Sequence, residues 1–302
     1  MAELVAQAQT ASSAGDWSQA ASLLETAYQL EQSFTINHQL VTALTQIQNY
    51  AAASTYAAEF ETTYLATGAD FNLYLTICLA NHEFIKAHML IQAIRQQHVD
   101  WVNPATEQVT IAEAQAEQTL QQTLTTTMRQ FYHLSDQPVA EQPVRLAAAQ
   151  HLTLAKYVTA ARFLLLDPFL QQLSRVEVLY TLRAAGVTQP VQFLWFDQTE
   201  VTVVPAELPV IGTDATSVQV EAALQAAVGQ LDVSLYESLQ AMLSLQLMYL
   251  YPYSEKIITD SQIWINLLIT SQQGQTPRHL TVTGQEMLAN QTKIQEMNAE
   301  LG

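Results

Sequence analysis

Histidine and cysteine are the side chains in this sequence best suited to hold a metal ion or to act as a nucleophile. The seven histidines do not pair at the spacing of helical metal ligands, since His82 and His88 are six residues apart and fall on different helix faces. Cys78, the only cysteine, lies on the packed side of its predicted helix, which favours a buried structural thiol. The sequence therefore predicts no metal site, no cofactor and no intramolecular disulfide.

The sequence also contains no motif that indicates phosphate binding, acyl transfer or acid–base catalysis. The eight glycines are scattered, so the common phosphate-binding loops are absent, and no zinc-binding or serine-hydrolase signature occurs. The dispersed carboxylates indicate a solvated surface rather than an acid–base pair. We expect a protein that is not an enzyme. Catalytic groups assembled from distant positions are the alternative that spacing alone leaves open.

The strongest pattern in the chain is an aromatic residue followed by an alanine three positions later. It recurs at steps of 33 and 34 residues, each time after a polar pair: Trp17–Ala20, Tyr50–Ala53 and Phe84–Ala87. A large side chain can lie between two helices, and an alanine allows them to cross closely. One helix pair cannot bury its apolar face alone, so about three stacked pairs are expected. An irregular bundle with an accidental period is the alternative.

This pattern resembles the tetratricopeptide repeat (TPR) family, and residues Gly15 to Leu30 resemble the second helix of a TPR unit. Ala27 matches a further family position, where the later units carry Phe60 and Ile94. The family's proline at the end of each unit is missing, as is a tight glycine in the first helix. The resemblance therefore supports the helix pairs more directly than it supports the superhelical geometry of the TPR family.

The fold class implied is mainly α. We expect an α-α superhelix of TPR-like helix pairs with a capping helix in residues 1–135, and a helical domain with one β-hairpin in residues 136–302. More distantly, the chain resembles bacterial proteins that join such an array to a helical tail. The capping helix is predicted from Pro104 to Tyr132, with Asn103 as its N-cap.

The C-terminal half shows one β signal among helical patterns. Val191 to Phe196 and Glu200 to Val204 are rich in β-branched and aromatic residues and flank a short turn, which predicts a hairpin near 191–204. Helices are predicted at about 144–166 (as two), 174–185, 214–231, 234–251, 254–271 and 284–301. Ser174 is expected to cap the second of these segments, with Glu177 completing a capping box.

The TPR resemblance implies that the first helix of each pair lines a groove that binds a protein or peptide. The family's groove positions fall by phase on His38, Thr42, Thr45, Gln46, Asn72 and Thr76. No Lys or Arg precedes Lys86, so the family's cationic clamp on a peptide carboxylate is absent. We expect a scaffold or adaptor whose partner is neutral, apolar or basic. The alternative is that the chain's own C-terminal half fills the groove.

Charge and hydropathy restrict the other partners. The formal net charge of −17 disfavours binding to nucleic acid and to anionic lipid over much of the surface. The first residues lack the basic start and apolar run of a signal peptide, and no apolar stretch reaches the length of a membrane span. A cytoplasmic protein that does not bind membranes is expected.

The alternative function is a winged-helix-like regulator that binds nucleic acid through residues 175–204. In that interpretation, a helix precedes a hairpin wing, and Arg175 and Arg183 face the DNA. Against it, Trp195 and Phe196 look like packing residues, and the flanking sequence is acidic. We therefore favour a structural hairpin that covers one end of a helical layer.

Overall fold

The computed structural model describes residues 1–95, 97–229, 233–275, 277 and 279–299. This part of the chain contains sixteen α-helices and one two-stranded antiparallel sheet, which confirms the mainly α fold with a hairpin in the C-terminal half. Two compact units are present. The first comprises residues 1–133, 144–160 and 184–186, and the second comprises 134–143, 161–183 and 187–302. Our expectation of a single boundary near residue 135 stays a prediction.

The first unit is built from helices that pack against their neighbours in sequence. The helices are α1 (Ala2–Ser13), α2 (Trp17–Leu30), α3 (Phe34–Gln46), α4 (Tyr50–Ala58), α5 (Glu61–Tyr64), α6 (Gly68–Ala80), α7 (Phe84–Arg95), α8 (Val102–Thr119) and α9 (Gln121–Tyr132). Helices α10 (Gln142–Ala149) and α11 (Leu154–Leu164) lie partly in this unit. Its core is continuous from α1 to α8.

The three repeated alanines occupy equivalent positions in this core. Ala20, Ala53 and Ala87 are all fully buried, as expected where helices cross closely. The aromatic partners differ. Phe84 is fully buried, whereas Trp17 and Tyr50 are only partly buried against the core. The aromatic side chain is therefore fully enclosed in the third of these helix pairs and only partly enclosed in the first two.

The same turn precedes each of these aromatic residues. Gly15, Gln48 and His82 all adopt positive φ angles, of 80°, 59° and 57°. The next residue in each turn donates its backbone N–H to the carbonyl five positions earlier: Asp16 to Ala11 at 2.9 Å, Asn49 to Leu44 at 2.9 Å and Glu83 to Cys78 at 2.8 Å. A left-handed residue with this hydrogen bond ends a helix sharply. The polar pairs in the sequence therefore mark three equivalent turns.

The segment after α7 differs from the sequence prediction. Instead of one helix from Pro104 to Tyr132, the structure has α8 and α9, which meet at Leu120 with φ −118° and ψ 22°. That conformation interrupts the helical hydrogen-bond ladder. The helix also begins earlier, at Val102, so Asn103 is not its N-cap. Pro104 is accommodated because the first four N–H groups of a helix have no partner within the helix.

The second unit contains the predicted hairpin and most of the remaining helices. The elements are α12 (Gln172–Ala184), β1 (Val191–Leu194), β2 (Glu200–Val203), α13 (Ala215–Val228), α14 (Val233–Leu250), α15 (Ser261–Gln272) and α16 (Val282–Ala299). In the hairpin, Val191 pairs with Val203 and Leu194 with Glu200. The predicted ends of two helices, near Leu231 and Leu301, lie outside the described residues.

Two helix starts in this unit correct the prediction. Helix α12 begins at Gln172, so Ser174 lies inside it, and the Ser174 hydroxyl donates to Gln142 Oε1 at 2.7 Å. The segment from Ser254 does not continue as an α-helix. It forms a short 3-10 turn, and α15 starts only after Asp260, whose carboxylate accepts from the Ile263 N–H at 2.9 Å. The Asp260 side chain, as the N-cap, therefore determines where α15 begins.

Candidate partner-binding face of the first helices

Side-chain contacts join the first helices of successive pairs. His38 Nε2 on α3 lies 3.0 Å from Asp70 Oδ1 on α6. Gln108 on α8 donates through Nε2 to Asn72 Oδ1 on α6 at 3.3 Å, between residues 36 positions apart. We call the exposed and half-exposed residues of these three helices the first-helix face. The polar side chains that make these contacts form a polar strip across the face, because α6 contacts one neighbour through Asp70 and the other through Asn72.

The second helices are joined by a separate set of contacts. The Tyr28 hydroxyl on α2 donates to Glu59 after α4, and the Tyr56 hydroxyl on α4 donates to Glu25 on α2 at 2.9 Å, both across 31 residues. Lys86 Nζ on α7 lies 3.3 Å from Ser54 Oγ on α4, across 32 residues. These contacts join first helices to first helices and second helices to second helices, in addition to contacts between the two kinds, such as His88 on α7 with Glu113 on α8. This arrangement is what stacked helix pairs require.

The predicted groove residues fall into three groups. His38 is half-exposed and pairs with Asp70, while Gln46, Asn72 and Thr76 are exposed. Thr42 and Thr45 are half-buried. Their hydroxyls, like that of Thr76, donate to the carbonyl four positions earlier at 2.7 Å, so each threonine presents mainly its methyl group and acceptor lone pairs.

Aromatic side chains beside His38 were missed by sequence reasoning. The His38 ring lies 6.0 Å from the Tyr64 ring in a stacked arrangement and 5.8 Å from the Phe34 ring, centroid to centroid. Phe34 in turn lies 5.8 Å from Phe60, and both are partly exposed. In the sequence, Phe60 stands out only as a departure from the TPR pattern. A carboxylate at Asp70 beside aromatic rings suits a basic or apolar group.

A buried hydrogen-bond network fixes α3 beneath this face. Asn37 is fully buried; its amide oxygen accepts from the Tyr64 hydroxyl at 3.0 Å, and its nitrogen donates to the Tyr56 carbonyl at 2.8 Å. Burial raises the pKa of Tyr64 well above its ordinary value. Burial, with the hydrogen bond to Glu25, raises the pKa of Tyr56 to about 12. These phenols therefore stay protonated at neutral pH and act as fixed hydrogen-bond donors.

A second polar cluster lies between α4 and the start of α7. The Ser54 hydroxyl donates to both Glu83 oxygens, at 3.2 and 3.0 Å, beside a cavity of about 330 Å³. Lys86 Nζ lies 3.7 Å from Glu83 Oε2 and 5.0 Å from the centre of the Tyr74 ring. The cluster serves to join the two helices.

Cys78 behaves as the sequence predicts. The thiol is fully buried, and burial raises its pKa well above the ordinary value, so it is not an exposed thiolate nucleophile. In the described ranges, no three or more His, Cys, Asp or Glu residues come close enough together to hold a metal ion. No helix of the described residues is both long enough and apolar enough to cross a bilayer.

The arginine expected to face DNA in the winged-helix alternative is buried. Arg175 is 1% exposed; it donates to the carbonyls of Asp167, Leu170 and Leu194 and to Gln172 Oε1 at 2.6 to 3.0 Å. Burial lowers its pKa to about 10, which leaves it charged at neutral pH. The assignment of Arg175 to a DNA contact is therefore wrong, because its guanidinium holds the fold together.

The other residues of that alternative are also engaged within the protein. Arg183 is partly buried, and its Nε donates to the Leu208 carbonyl at 2.9 Å. Trp195 and Phe196 are buried, which confirms them as packing residues, and Trp195 Nε1 donates to the Leu250 carbonyl at 3.1 Å. The hairpin end is thus packed into the second unit.

Comparisons with known proteins leave the chain without an assigned family. No protein-family model matches the sequence. No curated protein and no solved structure matches it significantly.

Proposed function

We propose that the protein is a non-enzymatic scaffold or adaptor with a TPR-like array, whose first-helix face binds a peptide or helix of a partner protein. The observation that carries this proposal is the polar strip across α3, α6 and α8. Its side chains are exposed or half-exposed and join helix to helix, while the buried sides of the same helices form the core. Rigid helix pairs that present polar groups in register can recognise an extended or helical segment.

The partner's chemistry follows from the charges and rings of this face. Residues before Lys86 include eight acids and no Lys or Arg, and Asp70 lies on the face itself. Partly exposed Phe34 and Phe60 lie next to His38. An acidic segment would be repelled, whereas a basic or neutral segment with apolar side chains finds both a carboxylate and aromatic surface.

A matched pair of substitutions tests the proposal. Thr76→Arg places a cation on the exposed first-helix face, where the threonine hydroxyl bonds to the Asn72 carbonyl at 2.7 Å. Thr26→Arg places the same charge on exposed α2, where the hydroxyl makes the equivalent bond to the Ser22 carbonyl at 3.0 Å. Both variants should fold with nearly unchanged stability, because exposed substitutions cost within about 0.5 kcal/mol.

Affinity capture with quantitative mass spectrometry then compares the two variants with the wild type. We expect Thr76→Arg to reduce recovery of the partners at least about tenfold, since a like charge opposes a basic segment at an interface. Thr26→Arg should recover the same partners as the wild type. Equal recovery by both variants would refute the first-helix face as the binding surface.

A further inference from the structure

A cavity in the second unit combines two cations with aromatic walls. Its volume is about 300 Å³, at the lower end of the range for small-molecule sites. The walls come from the turn before α12, the tip of the hairpin and the last helix, and they include Phe169, Arg175, Phe196, Lys293 and Met297. This cavity lies wholly within the second unit, and the proposed function does not use it.

The first cation, Arg175, carries a buried charge that touches no carboxylate. The four N–H groups of its two terminal nitrogens have neutral oxygen acceptors, but its Nε–H is buried and has no protein acceptor. The nearby Asp167 carboxylate offsets part of the charge, yet its Oδ1 accepts from the Phe169 N–H at 3.0 Å rather than from the guanidinium. A buried donor without a protein acceptor needs a partner such as a water molecule or a ligand atom.

The second cation, Lys293 on α16, lies with Nζ 5.2 Å from the centre of the Phe196 ring. None of the ion pairs found among the described residues involves it. Residues 186–302, which include Lys293, contain only three Lys or Arg against twelve acids, so a lysine beside the cavity stands out against the charge of this stretch. Both are positioned to favour an anion.

The remaining walls are apolar. Phe169 is a large aromatic side chain that is 84% exposed, so it offers apolar surface to a ligand. Phe196 is fully buried, and Met297 adds an adaptable thioether. A ligand that reaches the two cations would therefore also contact apolar side chains of the cavity wall.

We propose that this cavity binds a small organic carboxylate with an apolar chain. One carboxylate oxygen accepts from Arg175 Nε–H and the other pairs with Lys293, while the chain lies against Phe169 and Met297. A carboxylate with an apolar chain fits better than inorganic phosphate because phosphate has no apolar surface to lie against Phe169 and Met297.

Calorimetric titration of the full chain with hexanoate, at constant ionic strength and neutral pH, tests the proposal. Hexanoate should bind, whereas hexan-1-ol and acetate should each bind at least about tenfold more weakly, since one lacks the charge and the other the chain. Inorganic phosphate should also bind more weakly. Hexanol or phosphate binding as tightly as hexanoate would overturn the proposal, as would the absence of any heat with hexanoate, which would indicate a cavity that holds water.

Variants separate the cavity from general charge effects without removing the structural Arg175. Lys293→Gln should weaken hexanoate binding at least about tenfold. Lys256→Gln is the matched control, because Lys256 also lies over aromatic rings in this unit, at 3.8 Å from the Tyr253 ring centre, but does not line the cavity. It should change affinity less than about twofold. Phe169→Ala should weaken hexanoate and leave acetate unchanged. Equal losses from both lysine substitutions would contradict the assignment.

Discussion

The two units use polar side chains in opposite ways. On the first-helix face, polar groups bond between neighbouring helices near the surface, as His38 does with Asp70. In the second unit, Arg175 is buried and bonds to three backbone carbonyls and one side chain. We therefore expect that polar residues on the first-helix face can be replaced without loss of the fold, which leaves them available to bind a partner. Buried polar residues such as Arg175 are required for the fold itself.

Arg175→Ala should produce the largest effect on stability. The substitution removes a buried side chain and leaves four buried oxygen acceptors without their donor, so we expect a loss of about 4 to 5 kcal/mol. Urea unfolding measures it. Arg162→Ala, at an exposed position of α11, is the control and should stay within about 0.5 kcal/mol of the wild type. Similar small losses for both arginines would contradict the assignment of Arg175 as a residue that holds the fold of the second unit together.

The repeated aromatic residues should differ in their contributions within the first unit. Phe84 is fully buried, so Phe84→Ala should cost about 3 to 4 kcal/mol. Trp17 is only partly buried, and Trp17→Ala should cost about 1 to 2 kcal/mol. Chemical unfolding of the two variants side by side gives the ranking. A larger loss from Trp17 would mean that the first helix pair is packed more tightly than the structure shows.

Two asparagines in the first unit sharpen the contrast between core and surface. Asn37→Ala removes the buried amide that bonds to Tyr64 and to the Tyr56 carbonyl, and it should cost about 2 kcal/mol. Asn72→Ala, on the first-helix face, should cost less than about 0.5 kcal/mol. Thermal and urea unfolding both report these differences. A substantial cost at Asn72 would show that the face is structural rather than free for binding.

The smallest expected effect is a dependence of stability on alkaline pH. The pKa of Tyr56 is raised from the ordinary 10.0 to about 12, so its contribution to stability is complete below pH 10.0 and is lost as pH rises through about 12. Urea midpoints measured between these values should fall with pH, and less steeply in Tyr56→Phe. An unchanged slope in that variant would show that other groups cause the alkaline loss.

The sequence predicted best those features of the fold that depend on residues close together in the chain. The aromatic–alanine period marked the turns at Gly15, Gln48 and His82, because a helix end, a cap and a packed alanine recur within a few residues. The helix break at Leu120 was not predicted, since apolar spacing continues across it. The burial of Arg175 was also missed, because its acceptors include the distant Leu194 carbonyl. The contact between His38 and Tyr64 was missed for the same reason, whereas Phe34 lies one helical turn from His38 on α3.

Site-specific photo-crosslinking tests the central claim, that the first-helix face contacts a partner, most directly. A photoreactive amino acid is placed at position 76 on this face, and in a control protein at position 26 on α2; both positions are exposed. The account predicts crosslinks to a partner protein from position 76 and none from position 26. Crosslinks from position 76 to the chain's own C-terminal half, or equal crosslinking from both positions, would contradict it.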